Sequence, residues 1–197
     1  MTRISECRRV TGESDVLVRL DLDSSSPSRA ETGLPFFDHM LAQLGKHAGI
    51  ALEVTASGDL TVDAHHSVED VGIVLGEAMS TALGDRAGVR RFASARIPLD
   101  EALVSVALDL SGRPYLHYDV DLGRSSAPLG TPPFEPQLAE EFWRAFVNGA
   151  KVTLHVTLVY GRNPHHVLEA SFKAVARALR DAILVDGADV PSTKGVL

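Results

Sequence analysis

Two segments of the chain, 100 residues apart, carry the same pattern of histidines and carboxylates. Residues 63–70 read DAHHSVED and residues 163–170 read NPHHVLEA, so four of the eight histidines fall in two matching clusters. Apolar residues at helical spacing follow each cluster, which predicts one helix over residues 65–83 and another from residue 165 to about 183. A histidine helix that occurs twice constrains the fold, because the chain has to form a similar unit in each half.

The elements before each histidine helix also come in a similar order in both halves. In the first half, the alternation in the second part of RRVTGESDVLVRLDL predicts a strand, FFDHMLAQLGKHAG predicts a helix, and IALEVTASG with LTVDA predicts a strand pair. In the second half, residues 90–122 predict strands broken by a turn, followed by a helix over QLAEEFWRAFVNGA and a strand over KVTLHVTLVYG. Residues 125–136, SSAPLGTPPFEP, are too rich in Pro and Gly for regular structure and predict a mobile loop.

This order favours an α+β fold, in which an internally duplicated unit packs helices against or between β-sheets. We expect residues 1–197 to form one domain with two similar halves, at about 1–90 and 91–197. The halves share little sequence outside the two clusters, so the duplication is inferred from the order of the elements.

Composition narrows the class of protein. The formal net charge of −7 argues against nucleic acid as a partner, because binding it normally needs a basic face. Cys7 is the only cysteine, which excludes an internal disulfide and fits a reducing compartment. The N-terminal residues lack the apolar core of a secretory signal, and no apolar run approaches the roughly 20 residues that span a bilayer. We expect a cytoplasmic protein without a membrane partner.

The spacing within each cluster predicts metal ligands. On a helix, His65 and Glu69 are neighbours at i and i+4, whereas His66 points well away from His65. Each cluster therefore offers a histidine and a carboxylate to one metal ion and its other histidine to a second ion. We predict two ions with crossed ligation, one held by His65, Glu69 and His166, the other by His165, Glu169 and His66. Nitrogen and oxygen ligands suit Mn²⁺, Fe²⁺ or Zn²⁺ without selecting among them.

The remaining histidines have structural interpretations. A lone histidine at a helix start is usually a cap or a surface residue, and only the duplication makes the metal hypothesis the stronger one. Taken alone, His39 is better interpreted as an ordinary buried histidine. His155 alternates with apolar residues in a strand, which favours the core or a place beside the ligands, and His47 and His117 are interpreted as structural.

Four basic residues are candidates for an anion site: Arg91, Arg113, Lys173 and Lys194. Each lies near a Gly, Pro or Ser in a turn or at the edge of an element. Arginine forks onto phosphate and lysine adds a point charge, while the hydroxyls of PSTKGVL add hydrogen bonds. Each residue taken alone is more often a solvated charge, and the sequence does not bring them together.

An ordered set of motifs extends over essentially the whole chain: RRVTGES, TGLPFFDHML, DAHHSVEDVGI, RRFASARIPLDEAL, DLSGRPYL, TLHVTLVYGRNPHHVLEASFKAVARAL and PSTKGVL. With these motifs the chain resembles the imidazoleglycerol-phosphate dehydratase family of histidine biosynthesis. The resemblance implies a duplicated α+β unit, two Mn²⁺ ions per active site, and a homo-oligomer of 24 subunits with active sites between subunits. We expect the single-function form, without a phosphatase segment.

The resemblance also assigns residues. His39 matches a metal ligand, which revises its structural interpretation, and Glu13 matches a carboxylate implicated in proton transfer. The residues implied to be catalytic are Glu13, His39 and Glu169. The implied metal ligands are His39, His65, His66, Glu69, Glu141, His165, His166 and Glu169. The residues implied to bind the phosphorylated imidazole substrate, mainly at its phosphate end, are Glu13, Gln43, Arg91, Arg113, Lys173, Ser192, Thr193 and Lys194.

The chain departs from the family pattern at one implied ligand. Many members have an isolated histidine, followed by two aromatics, in the helix before the TLH strand. Here that stretch reads AEEFW, and Glu141 occupies the matching position. Either the carboxylate ligates manganese in place of the histidine, or a water stays there.

The implied reaction converts imidazole glycerol phosphate to imidazole acetol phosphate and water. The proton that is lost has no carbonyl beside it, so the imidazole ring, bound by two metal ions, serves as the electron sink. Two other functions compete with this one. A metal-storing shell protein would need the clusters but neither Glu13 nor the anion site, and a dinuclear phosphate-ester hydrolase would release free phosphate.

Overall fold

Each half of the chain builds one four-stranded sheet and two helices in the computed structural model, which describes residues 2–122 and 127–197. The first half comprises β1 (Ile4–Val10), β2 (Ser14–Asp21), β3 (Arg29–Glu31), α1 (Pro35–Ala48), β4 (Ala51–Gly58) and α2 (His65–Leu83). The second half comprises β5 (Phe92–Leu99), β6 (Ala102–Asp109), β7 (Tyr115–Asp119), α3 (Leu138–Ala150), β8 (Thr153–Tyr160) and α4 (Pro164–Ala182).

The two sheets have the same topology. Their strand orders are β1-β2-β4-β3 and β5-β6-β8-β7, and in each sheet the third strand of the half pairs in parallel while the other pairs are antiparallel. The central strands β2 and β6 bury alternate residues in an identical pattern, because successive side chains of a strand point to opposite faces. The predicted α+β fold with two similar halves is confirmed.

The helices lie between the sheets and carry the core. Helix α2 packs on β1, β2 and β4, helix α4 packs on β5, β6 and β8, and the two layers meet where α1 contacts α4 and α2 contacts α3. Aromatic side chains fill the centre, where Trp143 contacts Phe142, Phe146 and Phe172. This packing brings the start of each histidine helix close to a helix from the other half.

Helices α2 and α3 approach each other closely because glycines line their contact. A Cβ atom at Gly72 would lie 2.7 Å from the carbonyl oxygen of Phe142, and one at Gly76 would lie 2.5 Å from that of Phe146. At the positions of α4 that correspond to these glycines, the chain has Phe172 and Ala176. The duplicated helices therefore share the histidine cluster but meet their partner helices differently.

Most of the predicted elements are present, with two corrections. The second helix runs over residues 65–83 as predicted, whereas the last helix begins at Pro164 because the Asn163 side chain caps it. The segment LTVDA was wrongly predicted as a strand. It forms a turn, closed by a hydrogen bond from Val62 N to Asp59 O, and Val62 is exposed. Its short alternation is too brief to distinguish a strand from a turn.

The second correction concerns His155, which does not lie in the core. It is exposed on the outer face of β8, where its ring lies 5.4 Å from that of His117, because only one face of this sheet is covered by helices. Within the predicted loop 125–136, residues 125 and 126 lie outside the described residues, and residues 127–136 contain turns and one isolated bridge. No helix of the described chain is long and apolar enough to cross a membrane.

Candidate active site

Three potential metal ligands meet between α1 and α4. The ligand atoms of His39, His165 and Glu169 all lie within 4.8 Å of one another. His165 Nε2 is 3.0 Å and His39 Nε2 is 3.3 Å from Glu169 Oε2. The i, i+4 spacing of His165 and Glu169 produces half of this group, as predicted, and the packing of α1 on α4 adds His39.

The electrostatics of Glu169 suit a ligand that stays ionised. Burial by itself raises the pKa of Glu169, but hydrogen bonds from Lys173 and His39, with the charge of Lys173, outweigh it and lower that pKa to about 2. Lys173 Nζ lies 2.6 Å from Glu169 Oε1, one helical turn further along α4. Two imidazole nitrogens and one carboxylate oxygen form a donor set that binds divalent transition metals.

The second histidine of each cluster is oriented by a carboxylate. His66 Nδ1 lies 3.0 Å from Asp59 Oδ2, and His166 Nδ1 lies 2.7 Å from Glu101 Oε2. Hydrogen bonds to these carboxylates raise the pKa of both histidines, and the bond from His166 lowers the pKa of Glu101 to about 2. A proton held at Nδ1 leaves the lone pair at Nε2, which is the arrangement of many metal-bound histidines.

The corresponding group in the first half is not assembled. By analogy with His39, His165 and Glu169, it would consist of Glu141 from α3 with His65 and Glu69 from α2. The carboxylate of Glu141 instead faces Arg144 Nε at 3.5 Å, and Glu69 is exposed. Among the described residues, only the trio between α1 and α4 places three potential ligands so close together.

Glu13 lies in the turn between β1 and β2, beside the first histidine cluster. Its Oε2 is 3.8 Å from His66 Nδ1, and its side chain is half exposed. The Thr11 side chain holds the turn, since its Oγ1 accepts hydrogen bonds from the backbone N–H groups of Glu13 and Ser14. A mobile proton on Glu13 would therefore be close to a potential metal ligand of the same chain.

Three of the four anion candidates, Arg91, Arg113 and Lys194, line a separate cavity of about 630 Å³ near the C-terminus. Its lining includes Arg91, Arg113, Ser192, Thr193 and Lys194. Arg91 is largely buried and clamped, because Nε and Nη2 donate to Asp109 at 2.7 and 3.1 Å while Nη1 donates to the Pro191 carbonyl at 2.7 Å. Arg91 thus fixes the segment that carries Ser192 and Lys194, and the cavity has the hydroxyls and cations that phosphate needs.

Comparison with known proteins shows which family this chain belongs to. The model of the family "Imidazoleglycerol-phosphate dehydratase" matches residues 32–179. The chain is 54% identical to the dehydratase of Frankia casuarinae over 200 residues, covering 100% of both chains. It is 50% identical to the dehydratase of Methanoculleus marisnigri over 197 residues, covering 99% of this chain and 100% of that one. The chain belongs to the imidazoleglycerol-phosphate dehydratase family.

Solved structures of the imidazoleglycerol-phosphate dehydratase family share the fold. The Pyrococcus furiosus enzyme, in complex with (S)-C348, is 36% identical with a TM-score of 0.81, covering 96% of this chain and 99% of that chain. The Staphylococcus aureus enzyme is 38% identical with a TM-score of 0.81, covering 92% of this chain and 99% of that chain. The family consists of hydro-lyases of histidine biosynthesis, so this chain is an enzyme and the predicted family is confirmed.

Besides Glu13, two residues that the resemblance assigned to the substrate do not line the anion cavity within one chain, Lys173 and Gln43. Lys173 is bound to Glu169, as described above. Gln43 lies one helical turn after His39 on α1, where its Oε1 is 3.0 Å from His47 Nε2. Burial lowers the pKa of His47, and the nearby charge of Lys173 lowers it further.

Sequence analysis missed three carboxylates that act on the predicted site: Asp59, Glu101 and Asp109. The first two bind the second histidines, and the third clamps Arg91. One signal was available for Glu101, since Glu13 and Glu101 each directly precede the second strand of a hairpin. Aligning the hairpins as well as the histidine clusters would have drawn attention to it.

Proposed function

We propose that the protein dehydrates imidazole glycerol phosphate to imidazole acetol phosphate and water in histidine biosynthesis, with two Mn²⁺ ions per active site. The observation that carries the proposal is that the trio of His39, His165 and Glu169 and a separate cationic cavity occur in one chain of this family. The imidazole ring and the phosphate of such a substrate would each have a site of matching chemistry. We further propose a single domain over residues 1–197, with halves at about 1–90 and 91–197.

The residues present fit a pair of metal ions. His39, His165 and Glu169 would hold one ion together with the Nε2 atom of His66, and His65, Glu69, Glu141 and His166 would hold the other. Nitrogen and carboxylate donors without thiolates accept Mn²⁺, and the choice of Mn²⁺ over Fe²⁺ or Zn²⁺ rests on the family resemblance. The bound ions would supply Lewis acidity at the substrate's imidazole ring.

The other side chains bind the substrate and move protons. Glu13 is exposed and close to His66, so it is placed to exchange a proton with a bound substrate. Arg113, Ser192, Thr193 and Lys194 hold the phosphate, while Arg91 keeps their segment in place. Gln43 and Lys173 complete the substrate site, and Lys173 also keeps Glu169 ionised. Fixing both ends of the substrate would align its leaving hydroxyl with the base.

The ligand sets proposed above require more than one chain. His65, His66 and His166 are not part of the trio that a single described chain assembles. A neighbouring subunit would supply the missing nitrogen atoms, which supports a homo-oligomer with active sites between subunits. We propose the 24-subunit assembly expected for the family.

Incubation of the manganese-loaded protein with imidazole glycerol phosphate tests this function. The ketone product should accumulate without free phosphate, as measured by mass spectrometry and a phosphate assay. Release of phosphate would instead show a hydrolase, and unchanged substrate at full metal content would show a protein that only stores metal. His165→Asn is a matched loss-of-ligand variant, which should lose both manganese and product formation.

A further inference from the structure

The two hairpins of the duplicated fold can be compared residue by residue. Strands β2 and β6 have the same length and the same burial pattern, and Val18 and Val106 each occupy the fifth position. Val18 pairs with Cys7 on the neighbouring strand, and Val106 pairs with Ala95. Counting outward from these pairs, Glu13 and Glu101 occupy equivalent positions, each directly before the second strand of its hairpin.

The first half has a polar cluster beneath its hairpin. Asp70, on α2, is buried and accepts hydrogen bonds from the Ser14 hydroxyl and from Arg9 Nε, the latter at 2.9 Å. Asp70 follows Glu69 directly, so one helix presents a potential metal ligand and the anchor of the hairpin side by side. The cluster of Arg9, Ser14 and Asp70 therefore ties the hairpin to the histidine helix.

The second half fills the equivalent positions with apolar side chains. Arg9 corresponds to Ile97, Ser14 to Ala102, and Asp70 to Ala170. Both alanines are fully buried, and the α4 helix packs on β5 and β6 as α2 packs on β1 and β2. Helix α4 thus packs on its hairpin without a polar side chain at these three positions.

This comparison indicates that the polar cluster is not needed for packing. Asp70 is buried while its partner Arg9 is partly exposed, so the cost of removing charge from water falls mainly on Asp70, and replacing such a buried charge together with its partners by apolar residues is often neutral or stabilising. In the second half of this fold, apolar residues occupy the three equivalent positions. The first half therefore keeps its cluster for a property other than stability.

The two halves differ in how the carboxylate of the hairpin is held. Glu101 binds His166 directly at 2.7 Å and is fixed further by the backbone N–H of Asn163 at 2.8 Å. Glu13 has no such bond to His66, because Asp59 already occupies His66 Nδ1, and the gap to Glu13 is 3.8 Å. The position of Glu13 thus depends on its turn, and Ser14 links that turn to Asp70.

We propose that Asp70, acting through Ser14 and Arg9, is a positioning residue that holds the Glu13 turn against the histidine helix for proton transfer. The inference rests on the proposed proton-transfer role of Glu13. Asp70 accepts hydrogen bonds from the Ser14 hydroxyl and the Arg9 guanidinium, and these two residues flank the turn on its two sides. If the turn were displaced, the metal and phosphate sites would stay intact. The Glu13 carboxylate would move away from the substrate group with which it exchanges a proton.

The test replaces the three residues of the polar cluster by the residue types found at the equivalent positions of the second half, in the variant Arg9→Ile/Ser14→Ala/Asp70→Ala. We expect wild-type particle size and manganese content, a melting temperature that does not fall, and a turnover number lowered about 100-fold with little change in the Michaelis constant. Hydrogen exchange of the Glu13 and Ser14 amides should become faster. Turnover at the wild-type level would overturn the proposal, as would loss of manganese in parallel with turnover, which would show that Asp70 acts through Glu69.

A double-mutant cycle separates this proposal from the function on which it rests. Asp70→Asn should lower turnover in the wild type but cause no further loss in Glu13→Gln, because both changes remove the same step. An additional loss in the Glu13→Gln background would overturn the positioning role. If Glu13→Gln alone kept wild-type turnover, the proton-transfer role would itself be wrong. The matched control is Asp15→Asn, which breaks the exposed pair with Arg8 on the same hairpin and should keep wild-type turnover and exchange rates.

Discussion

The carboxylate of Glu101 and the imidazole of His166 are joined by a 2.7 Å contact between Oε2 and Nδ1, which connects the β5–β6 hairpin to the start of α4. The other oxygen of Glu101 accepts the backbone N–H groups of Arg162 and Asn163, at 3.3 and 2.8 Å. A carboxylate at Nδ1 orients the ring and favours the tautomer with its proton at Nδ1, which leaves at Nε2 the lone pair that a metal requires.

Glu101→Gln should weaken manganese binding by about 10- to 100-fold, the usual effect of losing a carboxylate that orients a ligating histidine. Titration calorimetry of the metal-free protein measures the change, and nitrogen NMR of His166 should show a mixture of tautomers. Glu6→Gln, which alters an exposed pair with Arg19, is the control and should bind manganese normally. Unchanged affinity in Glu101→Gln would mean that His166 is not a ligand or is oriented by other groups.

Glu13→Gln should keep the particle, the metals and most of the substrate affinity, while turnover falls by about 10²- to 10⁴-fold, the range of general acid–base groups. The amide retains the shape of the side chain but cannot carry the proton. Turnover number and Michaelis constant should be measured after manganese content has been confirmed. A fall in affinity with unchanged turnover would point to a binding role for Glu13.

Lys194→Ala should raise the Michaelis constant strongly with a smaller effect on turnover, because a phosphate contact acts on ground state and transition state alike. Arg91→Ala should have a larger effect, since it also releases the Pro191 carbonyl and the segment behind it. Asp109→Asn tests the clamp without touching the cavity lining, and it should weaken substrate binding as well. Substrate titrations of the three variants provide the comparison. Equal effects of Arg91→Ala and Lys194→Ala would argue against the clamp.

Protein saturated with manganese should contain about two ions per chain, because active sites and chains are equal in number in a closed assembly. Complete chelation should convert the particle into smaller oligomers, since ligands from different chains have to meet around each ion. Metal analysis and light scattering measure the two quantities. One ion per chain at saturation would contradict crossed ligation, and a particle unchanged after metal removal would indicate that each site lies within a chain.

The fold could be predicted from the sequence more fully than the site, for a physical reason. The histidine helices and the duplicated α+β order were visible in the sequence, because hydrophobic periodicity and i, i+4 spacing are local properties of a chain. The turn at residues 60–64 was missed because five alternating residues satisfy a strand pattern without having a partner strand. His155 was expected in the core or beside the ligands, because alternation shows that a strand has two faces without showing which face is covered.

The sequence by itself determined the pairing of His165 with Glu169, which one helical turn brings together, and it determined the family through its ordered motifs. Only the tertiary structure decided that His39 joins this pair, because that contact depends on how α1 packs against α4. It also decided that Glu101 binds His166 and that Arg91 is committed to Asp109 and Pro191. These contacts join residues far apart in the chain, and the energy that selects them comes from burying whole helix faces and not from any local pattern.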